Sequence, residues 1–302
     1  MSIIVQTIDL NKKYKNKHAL KDFNITINKG DIYGLIGVNG AGKSTLIKII
    51  AGITVQTSGT LYLFGDENDL DNKRRRIGSV IENPSFAPNL SARENLEYYA
   101  TVMGIEDKKL IVDLLEKVHL DPQSKQPFRQ FSLGMKQRLG IAFALLNSPE
   151  FIILDEPTNG LDPVGILELR DVIYQLNQRG VTFLICSHIL SELSQIATKY
   201  GIVNKGEFIK ELTNENLSSL CHEQLSIRVT DEHSSILENT LAEHGYSYDL
   251  HGDTYEIVLN DGINSLLKII VDNGIQIIGI SQSKTSLEDV FLQSIGGSSK
   301  NV

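Results

Sequence analysis

Short apolar runs alternate with amphipathic segments over the first two thirds of the chain. Five runs have the length and apolar content of buried strands, at 32–36, 77–81, 151–154, 181–186 and 200–204. Four segments between them repeat apolar residues on one helical face or carry helix start signals, at 43–51, 91–103, 110–118 and 163–179. Strands that alternate with helices predict a parallel sheet covered on both faces. Three further segments with alternating apolar residues predict a small separate β layer, at 3–9, 23–28 and 59–64.

The pattern changes after a polar stretch at 211–222, which predicts a connector. Beyond it the periodicity predicts, in order, strand 224–230, helix 234–244, strands 246–250 and 254–260, helix 263–273, strand 275–282 and helix 285–295. The βαββαβ order is that of the ferredoxin-like split motif, followed here by one more helix. We therefore predict two domains, at 1–212 and 223–297.

Composition narrows the class of protein. The formal net charge of −8 argues against a general nucleic-acid binder, which is usually basic. The two cysteines, Cys186 and Cys221, are too few for a disulfide framework, so a reducing compartment is expected. The first ten residues lack the features of a signal peptide, and no apolar run reaches the length of a membrane span. Any connection to a membrane is therefore expected to come through a partner.

Residues 37–45 read GVNGAGKST, between a predicted strand and a predicted helix. This matches the phosphate-binding pattern GxxxxGK[ST], in which backbone amides at a helix N-terminus surround an anion. Glycine suits such a loop because it adopts positive φ and leaves room for phosphates. The residues predicted to bind a nucleoside triphosphate are Gly37, Val38, Asn39, Gly40, Ala41, Gly42, Lys43, Ser44 and Thr45. In this pattern Lys43 reaches the β- and γ-phosphates, and the Ser44 hydroxyl ligates Mg²⁺.

A second chemistry-bearing segment is FIILDE at 151–156, an apolar strand that ends in two carboxylates. A carboxylate at the end of a strand beside a phosphate loop is suited to hold Mg²⁺, and we assign this role to Asp155. The next residue, Glu156, would face the γ-phosphate and orient or deprotonate the attacking water.

The segment FSLGMKQRL at 131–139 resembles the LSGGQ signature of the ATP-binding-cassette (ABC) ATPases. Ser132 is placed to cap a helix whose N-terminal dipole attracts a phosphate. The resemblance implies that Ser132, Leu133, Gly134 and Met135 bind the ATP held by a second, facing subunit. Leu133 and Met135 depart from the Gly and Gln of the usual signature.

Other positions match the same family one by one. The resemblance implies that Tyr14 stacks on adenine, that His188 contacts the γ-phosphate, and that Asp162 in NGLD lies in a loop that crosses to the other subunit. Glu82 stands where the family has the glutamine of its coupling loop. A carboxylate there can still ligate Mg²⁺ but adds negative charge, so we expect Glu82 to lower or re-tune turnover rather than abolish it.

Together, these resemblances imply an α/β fold: a P-loop NTPase core with an antiparallel β subdomain and a helical signature subdomain, plus a small C-terminal α+β domain. The segment ENPSFAPNL and the tail SLEDVFL resemble antibiotic-resistance exporters of the bacitracin and lantibiotic type. The expected protein is a Mg²⁺-dependent ATPase at the cytoplasmic side of the membrane. It would dimerise on ATP and power a separate permease, with no nucleic-acid partner.

An alternative remains open at this point, a soluble ABC-type ATPase with a regulatory or translation-linked role and no membrane partner. The ribosomal type usually carries two cassettes in one chain, and this chain has one. The basic run KRRR at 73–76 is interpreted as a solvated helix face.

Overall fold

The computed structural model describes residues 2–15, 17–82, 84–214, 216, 223–259 and 262–284. The chain divides into two compact units, Met1–Asn214 and Glu215–Val302. No helix in the described part of the chain is long and apolar enough to span a membrane.

The first unit contains nine described strands. They are β1 (Ile3–Tyr14), β2 (Lys17–Asn28), β3 (Ile32–Ile36), β4 (Ser58–Leu63), β5 (Ile77–Val80), β6 (Phe151–Asp155), β7 (Thr182–Ser187), β8 (Lys199–Asn204) and β9 (Glu207–Thr213). Its described helices are α1 (Lys43–Ile50), α2 (Leu70–Arg74), α3 (Ala92–Val102), α4 (Lys108–Lys117), α5 (Leu133–Ala144), α6 (Pro163–Gln178) and α7 (Leu190–Leu193). A short 3₁₀ helix spans Phe128–Gln130.

A six-stranded sheet, in the order β5-β6-β7-β3-β8-β9, forms the centre of this unit. The pairs from β5 to β8 are parallel, and β9 closes the edge antiparallel to β8. All residues of β3, β6 and β7 are buried, as expected for parallel strands covered on both faces. The carboxyl ends of these strands meet at one edge of the sheet, so the loops that follow them lie together.

The predicted β layer is a three-stranded antiparallel sheet in the order β2-β1-β4. One hydrophobic core contains residues of this sheet, of α1 and of the six-stranded sheet, among them Leu10, Phe23, Leu46, Ile50 and Phe151. The strands β1 and β2 run further than their apolar patterns indicate, because hairpin pairing continues to Tyr14 and Lys17 after the alternation has faded.

Helices α3, α4 and α5 pack together in the first unit. Ser91 and Glu94 form the predicted capping box at the start of α3. Four aromatic rings meet edge-on at these helices, those of Tyr99 on α3, Phe143 on α5, and Phe86 and Phe128 outside them. These contacts give the helical segment an apolar centre of its own.

The second unit has strands β10 (Glu223–Val229), β11 (Tyr248–His251), β12 (Thr254–Val258) and β13 (Ile277–Lys284), with helices α8 (Asp231–Glu243) and α9 (Ile263–Asp272). The antiparallel order β11-β12-β10-β13 is that of the ferredoxin-like motif. A separate core includes Leu225, Ile227, Leu241, Ile257 and Ile270. The predicted fold class is therefore confirmed in its layers. The predicted helix 285–295 lies outside the described residues.

The predicted start of the connector was wrong, and the prediction for the basic run at 73–76, described below, was incomplete. The connector predicted from residue 211 begins later, because Glu207–Thr213 forms β9 against β8. The strand was missed because most of its side chains face solvent and show no apolar alternation.

The basic run at 73–76 is not simply a solvated face. Arg74 donates hydrogen bonds to the carbonyl oxygens of Ile49 and Ile50 at the end of α1, where a cation also suits the helix dipole. Lys73 pairs with Asp66, and Arg76 pairs with Glu150. Three of the four basic side chains thus have structural partners.

Candidate nucleotide-binding site

The loop between β3 and α1 is shaped by its glycines. Gly40 and Gly42 have φ of 81° and 114°, as the phosphate-loop pattern requires. A Cβ at Gly42 would lie 2.6 Å from the carbonyl oxygen of Ala19, and one at Gly37 would lie 2.5 Å from that of Val203. At Gly37 and Gly42, then, the chain's own backbone already excludes a side chain, in addition to any need for room around phosphates.

A cavity of about 280 Å³ opens over this loop. Its lining residues are Tyr14, Lys17, Ala19, Val38, Asn39, Gly40, Ala41, Gly42, Lys43, Ser44, Thr45 and Glu156. The structure therefore brings Tyr14 and Glu156 to the phosphate loop from distant parts of the chain. Tyr14 is 45% exposed at the end of β1, and the Lys12 ammonium lies 4.7 Å from the centre of its ring. Its ring is accessible for stacking rather than part of the core.

Lys43 is held at the floor of the cavity. Its side chain is only 5% exposed, and its Nζ donates a 2.6 Å hydrogen bond to the Gly37 carbonyl oxygen. The same Nζ lies 3.4 Å from Oε1 of Glu156. A buried ammonium needs such partners, and a phosphate could replace both.

Ser44 and Asp155 meet at the first turn of α1. The Ser44 hydroxyl donates a 3.2 Å hydrogen bond to Oδ2 of Asp155. The other oxygen, Oδ1, is buried and has no hydrogen-bond partner. Burial raises the pKa of Asp155, although the Ser44 hydrogen bond opposes this shift. A hydroxyl and an unpaired carboxylate oxygen are ligands that Mg²⁺ prefers, so these residues fit a magnesium ion.

Glu156 lies between Lys43 and His188. Its N–H still donates to the Cys186 carbonyl oxygen of β7 at 2.9 Å, and its positive φ of 48° ends the extended backbone of β6 at this residue. Its Oε2 lies 2.7 Å from Nδ1 of His188. Since β6 and β7 are neighbours in the sheet, their ends place these two side chains together. Lys43, Glu156 and His188 thus form a continuous chain of contacts at the ends of β6 and β7.

The predicted signature residues lie at the start of α5. Ser132 is exposed and caps this helix, its Oγ accepting the Met135 N–H at 3.2 Å. Asp162 caps α6 in the same way, accepting the Gly165 N–H at 2.8 Å. The first turns of the two helices lie close to each other, since a Cβ at Gly134 of α5 would lie 3.8 Å from the Cα of Gly165 of α6. None of the signature residues, nor Asp162, is among the described residues that line the cavity of this chain.

Comparison with known proteins gives the family. A family model described as ABC transporter matches residues 20–159. The chain is 43% identical over 305 residues to the bacitracin transport ATP-binding protein BcrA of Bacillus licheniformis, covering 98% of this chain and 99% of that protein. It belongs to the ABC transporter ATP-binding proteins. It is also 47% identical over 223 residues to the lantibiotic transport ATP-binding protein SrtF of Streptococcus pyogenes, covering 72% of this chain and 95% of that protein.

Solved ABC cassettes have the same fold. A dimeric post-hydrolysis state of the cassette MJ0796, bound to ADP and Pi, matches with a TM-score of 0.62 and 28% identity, covering 70% of this chain and 99% of that one. The cbiO1 protein of Clostridium perfringens matches with a TM-score of 0.67 over 80% of this chain and 96% of that one, and its 24% identity shows the fold alone. As an ABC ATP-binding subunit, the chain binds ATP and couples its hydrolysis to transport.

Within the ABC family pattern, Glu82 is the departure that the structure clarifies. It follows β5 with φ of 66°, and its side chain is 73% exposed. Its Oε1 lies 2.9 Å from Nζ of Lys48 on α1, and this hydrogen bond raises the pKa of Lys48. The structure thus pairs Glu82 with Lys48 and pairs Ser44 with Asp155. Sequence reasoning missed Lys48, although its spacing of four from Ser44 puts both residues on one face of α1.

Proposed function

We propose that this chain is the nucleotide-binding subunit of an exporter of antibiotic peptides or related drugs, driven by Mg²⁺-dependent ATP hydrolysis. The observation that carries the catalytic part is that Lys43 and Glu156 meet at the cavity over the phosphate loop, with His188 in contact with Glu156 from outside its lining. The transport part is supported by 43% identity over 98% of this chain with a bacitracin transport protein and by the match to a lantibiotic transport protein.

Substrate binding follows from the cavity lining. The loop amides of residues 38–45 would surround the ATP phosphates at the N-terminus of α1. Lys43 would exchange the Gly37 carbonyl and Glu156 for the β- and γ-phosphates, gaining a stronger charge-assisted contact. The exposed ring of Tyr14 would stack on adenine.

Ser44 and Asp155 would hold a magnesium ion through the hydroxyl and the carboxylate, with Glu82 as a further oxygen ligand. The chemistry supplied by that ion is neutralisation of charge on the β- and γ-phosphates. Asp155 would gain a partner for its buried Oδ1.

Hydrolysis would proceed with Glu156 as the general base. The water oxygen attacks the γ-phosphorus while Glu156 takes the water proton, and the bond to the ADP oxygen breaks. Releasing Lys43 to the phosphate would free Oε1 of Glu156, while Nδ1–H of His188 would hold Oε2 in position. As the imidazolium, His188 would also donate from Nε2 toward the γ-phosphate.

Assembly is the remaining part of the proposal. Two copies would close on ATP, each signature helix start (Ser132 to Met135) completing the site of the other copy, with Asp162 in the crossing loop. A surface around residues 82–105 would contact a separate permease, placing the chain at the cytoplasmic side of the membrane. In this proposal, residues 1–212 form the nucleotide-binding domain and 223–297 an accessory domain, and no nucleic acid is a partner.

Replacement of the general base tests the chemical step. Glu156→Gln keeps the side-chain length but removes the group that accepts the proton, so ATP turnover should fall by about 100-fold or more. ATP binding should persist, and a closed dimer should accumulate, measured by phosphate release and by size-exclusion chromatography with ATP. The conservative control is Glu207→Gln, which removes a surface carboxylate far along the chain. A Glu156→Gln enzyme with wild-type turnover would refute the assignment.

Transport is tested by purification of the tagged chain from detergent-solubilised native membranes. Recovery of a membrane protein with several spans supports the exporter subunit and identifies the permease. Recovery of ribosomes or soluble proteins alone would favour the alternative, a soluble ABC-type ATPase with a regulatory or translation-linked role.

A further inference from the structure

Lys48 lies one helical turn behind the proposed metal ligands. Ser44 and Lys48 are four residues apart on α1, so they share a face and are separated by about 6 Å along the helix axis. Ser44 contacts Asp155 at 3.2 Å, while Lys48 contacts Glu82 at 2.9 Å. The same helix face therefore carries a hydroxyl–carboxylate pair at its first turn and an ion pair at its second.

The charges around Lys48 explain why an ion pair forms there. Asp155, Glu156 and Glu82 bring three carboxylates to neighbouring strand ends, and Lys43 is already engaged with Glu156. Glu82 is one negative charge more than a glutamine at this position would give. The Lys48 ammonium faces this additional carboxylate directly and the Asp155 carboxylate at longer range.

We propose that Lys48 is a positioning residue that retains the Glu82 carboxylate at the second turn of α1. Glu82 must then release Lys48 before it can ligate a metal ion at Ser44 and Asp155. The inference rests on the proposed role of Glu82 as a metal ligand. Lys48 would then compete with the metal ion for the Glu82 carboxylate. We therefore expect Lys48 to weaken the metal's contribution to nucleotide binding.

The exposure of the pair sets the size of the effect. The Lys48 and Glu82 side chains are 34% and 73% exposed. Ion pairs with this access to water shift an equilibrium by no more than about five-fold. Such a contact is strong enough to bias the position of Glu82 and weak enough to be exchanged when nucleotide and metal bind.

The test measures binding without hydrolysis. The dissociation constant of the non-hydrolysable analogue AMP-PNP is measured with saturating Mg²⁺ and again with EDTA. The value in EDTA divided by the value in Mg²⁺ gives the metal's contribution to binding. Loss of positive charge weakens binding of metal-free AMP-PNP more than binding of its Mg²⁺ complex, which carries two fewer negative charges, so Lys48→Met is also made in a Glu82→Gln background to measure this charge effect alone. Lys48→Met should raise this ratio by about two- to five-fold. In a Glu82→Gln background, the same substitution should raise the ratio by a clearly smaller factor, because only the charge effect remains.

Three controls separate the explanations. Lys48→Arg keeps the cation and should behave as the wild type. Lys21→Met removes a surface ion pair of equal length, with Glu207, and should leave the ratio unchanged. An unchanged ratio in Lys48→Met, or an equal change in both backgrounds, would overturn the inference. If Glu82→Gln alone leaves the ratio unchanged, Glu82 is not a metal ligand and the underlying proposal fails with it.

Discussion

Asp155 is buried at the end of β6, with one carboxylate oxygen hydrogen-bonded to Ser44 and the other without a partner. A buried carboxylate of this kind destabilises the folded chain, and its raised pKa has the same cause. The folded state then binds the proton more tightly than the unfolded state, so this residue lowers stability as pH rises. The proposed metal site is thus a source of instability until a cation binds.

We therefore expect Asp155→Asn to raise the free energy of unfolding of the nucleotide-free protein by about 0.5–2 kcal/mol. The same change should remove the effect of Mg²⁺ on AMP-PNP binding. Urea denaturation at neutral pH measures the first effect, and the gain should narrow as pH falls and Asp155 takes up its proton. Asp162→Asn is the control, since asparagine caps a helix as well as aspartate does. A less stable Asp155→Asn protein would contradict this account.

At the same scale, residue types at fixed spacing in the sequence predicted which side chains belong to the site, but the sequence did not predict which side chains pair with each other. The GKST run and the two acids after an apolar strand led to Lys43, Ser44, Asp155 and Glu156, because strand ends in a parallel sheet converge. The Lys48–Glu82 pair joins residues 34 positions apart on a helix and a strand end. The periodicity of a single sequence does not indicate a contact between residues so far apart, so this pair could be found only in the structure.

At the scale of elements, the signature helix depends on a close approach to β5. A Cβ at Gly78 of β5 would lie 2.4 Å from the carbonyl oxygen of Ala144, at the C-terminal end of α5. Since backbone atoms cannot move aside as a flexible side chain can, any residue but glycine would push α5 outward. The position of Ser132 at the other end of α5 then depends on one glycine of a strand.

Gly78→Ala should lower the free energy of unfolding by about 1–3 kcal/mol, as overpacking in a tight interior does. Differential scanning calorimetry measures the loss. Gly279→Ala is the matched control, because it adds the same methyl group to a strand glycine with more room. A Cβ at Gly279 would lie 3.5 Å from its nearest neighbour, the side chain of Arg228. Equal melting temperatures for Gly78→Ala and the wild type would show that α5 accommodates the methyl group.

Elements with strong caps or apolar faces were predictable, and an edge element was not. Ser91, Ser132 and Asp162 cap three helices as their sequence contexts indicate. The strand β9 was missed because its stability comes from backbone pairing with β8 and not from an apolar pattern of its own. Arg74 was predicted to face solvent for a related reason, because its partners are carbonyl groups of a helix distant in sequence.

At the scale of the whole molecule, each of the two compact units has its own buried apolar core. The residues of the cavity over the phosphate loop all belong to the first unit. We therefore expect the first unit to fold and to bind nucleotide without the residues after Asn214.

A chain that ends at Asn214 should fold and bind AMP-PNP with an affinity within about two-fold of the full-length protein. Saturating ligand, at about 100 times the dissociation constant, should stabilise both proteins by about 2.7 kcal/mol. Calorimetric titration and thermal unfolding measure the two quantities. A truncated chain that is unfolded, or that binds ten-fold more weakly, would show that the second unit supports the site.

The backbone conformations of Glu82 and Glu156 have a consequence for laboratory evolution. Both glutamates have positive φ, which is unfavourable for a residue with a long side chain and easily adopted by glycine or asparagine. A mutant library screened for thermal resistance alone should therefore enrich glycine and asparagine at these two positions. The variants at position 156 would be more stable but would lack the general base, and those at position 82 would hydrolyse ATP at an altered rate. Selection on this protein must therefore measure ATP turnover in every round.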